Sequence, residues 1–260
     1  MIMRATVFAL TCGALAFGCS ADPQPGSLEE RQEITDNLIQ AGYPTSEIMV
    51  VDGKVYVGRD ALVTLEASRE MIEPGDRGQE QYRTSNLVSL GVAKICVNPT
   101  STFNSFSRLS QGLDLAIGNY NARGLSFSLA RGPTSGCNAN ISAVTQSGLV
   151  GGSSGFPSGG LPYGQIIIGT GLQSYSVDVN EHVITHEIGH TIGFRHSDYY
   201  DRSISCGTGG NEGDGGVGAI LIPGTPSTAK VGGSIMNSCF RSSETGEWSS
   251  SDKVALDYLY

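Results

Sequence analysis

With 260 residues, 39% of them apolar and 16% charged, the chain is long enough for one catalytic-sized core once a leader and a tether are set aside. A net charge of −9 with no basic run excludes a nucleic-acid partner, and acidity of this kind reports solubility rather than substrate. The 36 glycines suit a loop-rich, exported fold.

In chain order, Arg4 followed by the apolar stretch Ala5 to Phe17 reads as an export signal over 1–18, too short to span a membrane. Leu15-Ala16-Phe17-Gly18-Cys19 is similar to a lipoprotein box, although Phe17 stands where a smaller residue is usual. If the box is used, Cys19 is lipidated and the protein is anchored at the bacterial cell envelope. If it is not, the protein is secreted. A lipid anchor is the one route to a membrane that the sequence offers.

Residues 19–85 read as a tether and pro-region, which would make the chain a zymogen. Ser20 to Ser27 is polar, and Leu28 to Ala41 has helical spacing, with Ile34, Leu38 and Ile39 on one face. Ile48 to Gly58 reads as a hairpin around Asp52-Gly53, and Leu65 to Ile72 as a short helix. Glu73 to Arg83, charged and glycine-containing, is a linker and processing site.

The texture changes near Asn86, and 86–260 reads as the catalytic domain. Strands are expected at Leu87 to Val92, Ala93 to Val97, Leu125 to Leu129 and Tyr163 to Gly169. A helix is expected over Ser105 to Ala122, carrying Phe106, Leu109, Leu113, Ile117 and Tyr120. Gly148 to Gly160 and Gly207 to Gly218 read as glycine-rich loops. Asp178, with Glu181 three residues on, would cap a helix running to about Thr191. Ser249 or Ser250 would cap a last helix bearing Val254, Leu256 and Leu259.

Cys12 and Cys19 belong to the leader, which leaves Cys96, Cys137, Cys206 and Cys239 with three possible pairings. An oxidising compartment favours two disulfides, and Cys96–Cys137 with Cys206–Cys239 keeps each bridge within its own half. No C-x-x-C pair supports a structural zinc site instead.

Three of the four histidines fall in His186-Glu187-Ile188-Gly189-His190-Thr191-Ile192-Gly193-Phe194-Arg195-His196, which fits H-E-x-x-H-x-x-G-x-x-H. Residues four apart share a helix face, so His186 and His190 reach one cation. Gly193 lets the chain leave the helix in a left-handed conformation and bring His196 in as third ligand. Three imidazoles and an open position describe one catalytic Zn2+ rather than a structural site. His182 shares the face, but at about 12 Å along the axis from His190 it is a neighbour and not a ligand. Glu187, one step round from His186, is placed to act as general base for hydrolysis of a peptide bond by a zinc-bound water. Glu212 lies at the distance of a thermolysin-like third ligand, but its glycine-rich surroundings oppose the helix such a ligand needs. With Asp214 it reads instead as a loop acid or a Ca2+ site.

These residues resemble those of the metzincin metallopeptidases. Gly233-Ser234-Ile235-Met236-Asn237 is similar to the Met-turn, with Met236 as a packing floor under the metal. The His186 to His190 string and the ending Ser234 to Cys239 are most similar to the bacterial dual-action HEIGH metallopeptidase family, over roughly Leu87 to Tyr260. The resemblance implies an α+β zincin: a twisted mixed sheet, the zinc helix, the Met-turn and a C-terminal helix, preceded by a small pro-segment. It implies Ile166-Ile167-Ile168 as the edge strand that pairs with an extended substrate. Two residues beyond the methionine some relatives carry a tyrosine, where this chain has Ser238; Tyr199 or Tyr200 are substitutes. An aspartate such as Asp52 or Asp60 could hold the metal in a latent form, and either reads equally as a turn or surface residue.

The function expected is an exported, monomeric zinc endopeptidase acting on peptide or protein substrates. The alternatives are a non-catalytic zinc-binding surface lipoprotein and a protease that mainly processes its own pro-region.

Overall fold

The computed structural model describes residues 26–72, 81–133, 135–213, 218–226 and 228–260. The export signal, Cys19, most of the 73–83 linker and Asp214 lie outside them.

The N-terminal part begins with α1 (Leu28–Gln40), where the Ser27 hydroxyl accepts from the Glu30 amide and Ile34 and Leu38 turn inward. β1 (Ile48–Val51) and β2 (Lys54–Val57) form the expected hairpin, with Asp52 and Gly53 at φ 50° and 74°, the left-handed pair a two-residue turn demands. β3 (Ala61–Val63) extends it antiparallel, and α2 (Leu65–Met71) follows on a Thr64 cap. Ile34, Leu38, Tyr43, Val55, Val57 and Met71 form a small core closed by Phe156 from the rest of the chain.

β4 (Tyr82–Arg83) pairs with a later short strand. Then come β5 (Lys94–Pro99), α3 (Ser101–Ser105), α4 (Ser107–Asn121), β6 (Ser128–Arg131), β7 (Ala139–Gln146), β8 (Gly152–Gly155) and β9 (Gln165–Gly169). The chain continues through α5 (Val177–Thr191), α6 (Ser203–Cys206), β10 (Ile220–Leu221, the partner of β4) and α7 (Ser250–Leu259). A twisted mixed sheet runs β1-β2-β3-β8-β9-β7-β5-β6 among the described residues. Its central strands are parallel, and β8 is antiparallel to β9. The second core lies between this sheet, α4 and α5, with Ile95, Leu113, Ile141, Ile166, Ile184 and Ile188 fully enclosed.

Several expectations are corrected. Ile166-Ile167-Ile168 is not an edge: β9 is hydrogen-bonded to β7 on one side and β8 on the other. The Gly148–Gly160 stretch is not all loop, since it contains β8, on whose outer side β3 pairs in parallel. Leu87 to Val92 forms no strand; Val88 and Val92 are buried without joining a ladder. The helix over 105–122 breaks at Phe106, whose extended backbone separates α3 from α4. Ser176, not Asp178, caps α5 by accepting from the Val179 amide, while Asp178 sits in the first turn, where a carboxylate favours the helix dipole. Ser249 and Asp252 form a capping box on α7. Cys96 is joined to Cys137 and Cys206 to Cys239, with Cα atoms 5.8 and 5.2 Å apart.

Candidate metal centre

α5 presents His186 and His190 one turn apart, and both are buried. Gly193 then adopts φ 111°, and a β-carbon there would come within 2.6 Å of the Asn86 carbonyl, so only glycine permits this exit from the helix. Beyond it the Arg195 amide donates to the Tyr82 carbonyl at 2.8 Å, fixing the bend that carries His196 back. The three ring centroids lie 4.6, 4.9 and 5.2 Å apart.

The partners of the Nδ1 atoms decide where the lone pairs point. His186 Nδ1 donates to the Ile235 carbonyl and His190 Nδ1 to the Phe194 carbonyl, both at 2.8 Å, and His196 Nδ1 to Glu212 Oε1 at 2.7 Å. With those Nδ1 partners each ring, once neutral, turns an Nε2 lone pair inward. His186 Nε2 and His196 Nε2 are 3.3 Å apart, and His190 Nε2 is buried with no hydrogen-bond partner among the described residues. Nitrogens bound at 2.0–2.1 Å to a tetrahedral ion sit about 3.3–3.4 Å from one another. The donor set therefore fits a zinc ion.

A fourth group joins them. Asp60, in the turn before β3, places Oδ2 at 3.1 Å from His196 Nε2 and 3.9 Å from His186 Nε2, and Oδ1 at 3.9 Å from His190 Nε2. One ligand atom from each of the four lies within 4.8 Å of the others. The two aspartates separate here: Asp52 is exposed at the tip of the hairpin, and Asp60 is at the centre.

The electrostatics follow. Burial resists ionisation of Asp60, but His196, His190 and His186 together hold its carboxyl far below the usual range. Burial, then His196, brings His186 down to about 4. Burial and His186 draw His190 well below its ordinary value. Burial also works against a charge on His196, yet Asp60 and Glu212 raise it well above ordinary.

Glu187 is buried, with Oε2 accepting from the Ser154 hydroxyl of β8 at 2.8 Å. Burial, then the Asp60 charge, pushes its carboxyl well above the usual range, against the lowering pull of Ser154 and His196. Met236 is buried beside α5, where a β-carbon on Gly189 would come within 2.7 Å of its sulfur.

Glu212 is neither a metal ligand nor a solvated loop acid. It is 1% exposed, and its oxygens meet His196, Arg195 and Arg202, which leaves none free for calcium. It is the carboxylate behind the third histidine, and the sequence signal for it is chemical: an imidazole ligand needs an acceptor on its other nitrogen. His182 stays outside the cluster, buried, with Nδ1 3.8 Å from Glu244 and its ring drawn down to about 4, chiefly by burial. Tyr200 donates no group to the centre: its hydroxyl accepts from the Ala229 amide at 2.9 Å. Tyr199 is buried with its ring against Tyr82 and the Arg195 guanidinium.

A family profile described as dual-action HEIGH metallo-peptidase matches residues 55–260. None of the curated proteins is similar to the chain. Among solved structures, the chain is similar to one titled "Crystal structure of myroilysin", at 12% identity and a TM-score of 0.36, covering 72% of this chain and 90% of that one.

Proposed function

The chain belongs to the dual-action HEIGH metallopeptidase family, and on that premise we propose that it is an exported zinc endopeptidase of metzincin type, made as a latent precursor. The observation that carries this reading is the convergence of three inward Nε2 atoms, each ring fixed through Nδ1, beside a buried Glu187. His186, His190 and His196 would hold the ion, and Met236 would form the floor beneath it. Zinc, when bound, supplies a Lewis acid that acidifies water and polarises a peptide carbonyl.

The chain's own residues do the rest. Glu187, aimed by the Ser154 hydroxyl, takes the proton of the attacking water and returns it to the leaving amine. The outer edge of β8 offers backbone groups to an extended peptide. In the precursor that edge is filled, because Ala61 and Leu62 pair with Ser154 and Gly155 and the Ser154 amide donates to the Asp60 carbonyl at 3.0 Å. The Asp60 carboxylate stands at the fourth position of the centre, and its charge helps keep Glu187 protonated. Departure of residues 26–72 would free the edge and the fourth position and lower the Glu187 carboxyl toward a working base.

On this reading 1–18 is the export signal, 19–85 the tether and pro-region and 86–260 the peptidase, with Cys19 as the lipid anchor if the box is used. Zinc-loaded full chain incubated with casein should cleave it once residues 26–72 are removed, and chelator should stop it. Glu187→Gln should keep one zinc per chain and lose turnover. Casein cleavage at the unaltered rate by Glu187→Gln would sink the assignment, and zinc binding without any turnover would favour the non-catalytic lipoprotein.

A further inference from the structure

The N-terminal part meets the catalytic half at a second buried ion pair. Arg202, which leads into α6, is 5% exposed, with Nη1 3.6 Å from Glu47 Oε2 and Nε 3.1 Å from Glu212 Oε1. Neither contact has hydrogen-bond geometry: Arg202 Nε and Nη1 and Glu47 Oε2 all lack a hydrogen-bond partner among the described residues. A guanidinium offers its donors in a fixed fork that matches a carboxylate, so one buried with two idle nitrogens is set for an anion it does not fully have. Arg202 also lies on the wall of a cleft of about 250 Å³ that holds His186, Glu187, Gly152, Ser238 and Phe240.

Charge accounting points the same way. With residues 26–72 in place, Arg202 faces Glu47 and Glu212, and Arg195 faces Glu212. Without them Glu212 alone faces two guanidiniums, and it is also bonded to His196. Glu244, 3.8 Å from the His182 ring that lines the cleft, is already paired with Arg241 at 2.8 Å. Arg202 then loses Glu47 and shares Glu212 with Arg195.

We propose that Arg202 is a specificity-determining residue that reads an acidic side chain beside the scissile bond, and that Glu47 holds its place in the precursor. This rests on the peptidase reading above. Residues 26–72 then fill three functions of a substrate at once: backbone at β8, an oxygen at the metal centre and an acid at Arg202.

The test profiles the zinc-loaded full chain, matured by limited proteolysis, on peptide sets that differ only by Glu, Gln or Leu at each position flanking the cleavage site. The expected result is a kcat/KM for Glu over Gln of about tenfold or more at a position adjacent to the scissile bond. Arg202→Gln should bring that ratio close to one, and Arg202→Lys should restore part of it, with zinc content measured alongside. Equal rates for Glu and Gln at every position in the unaltered chain overturn the proposal, as does a ratio that survives Arg202→Gln. Either result comes with peptide cleavage intact and so differs from a failure of the peptidase reading.

Discussion

Residues 186–196 and the turn before β3 deliver ligand atoms to the same point by opposite routes. The three imidazoles come from one helix and the bend after it, so their convergence follows from 3.6 residues per turn and one left-handed glycine. Asp60 arrives 136 positions before His196, through strand pairing of β3 with β8. Local geometry can be read off spacing. A partner recruited through a sheet edge cannot, because any extended segment with the right register would pair there. On the proposed maturation, the element recruited through the sheet edge is the one that leaves.

The largest effects should fall on the helical side of that comparison. His190→Ala should abolish metal binding and turnover together, and Glu187→Gln should lower kcat by about 10²–10⁴-fold while zinc stays, as assays of both would establish. Glu212→Gln should weaken zinc by roughly 10–100-fold, read by competition with a chelator, because the acceptor behind His196 is diminished. On the recruited side, Asp60→Ala should raise the activity of unprocessed full chain by about tenfold, since removing a competing ligand raises the competent fraction. An unprocessed Asp60→Ala chain no more active than the unaltered one would leave Asp60 a mere neighbour of the cluster.

The smallest effect separates His182 from the histidines it resembles in spacing. Its folded-state value, drawn to about 4, lies below the ordinary one near 6.5, so the unfolded chain binds the proton first as pH falls. Its contribution to stability is therefore intact above about pH 6.5 and declines toward pH 4. His182→Gln should narrow the difference in urea midpoint between pH 7 and pH 5, by the equivalent of roughly 1–2 kcal/mol. An unchanged pH dependence would mean that the imidazole titrates as it does in water.

Much of the fold was legible where residues answer to their near neighbours. The Asp52-Gly53 hairpin, α5 and its left-handed exit, the last helix and both cysteine pairs are local or confined to one half of the chain. β8 was hidden because Gly152, Ser153, Ser154 and Gly155 have little strand preference of their own and are extended only because β9 and β3 flank them. The resemblance alone made β9 the edge, and its apolar run offered no check, since high strand preference marks a buried strand as readily as an exposed one. Glu212 was disguised by surrounding glycines, and its role appears only once Arg195, Arg202 and His196 are seen around it.

The central claim is that His186, His190, His196 and Asp60 close on one ion in the unprocessed chain. The most direct test is a crystal structure of zinc-loaded full chain with anomalous data at the zinc edge. One peak is expected, about 2.0–2.1 Å from all three Nε2 atoms and within bonding distance of an Asp60 oxygen. No peak among these residues, or one that His196 does not reach, would contradict the account.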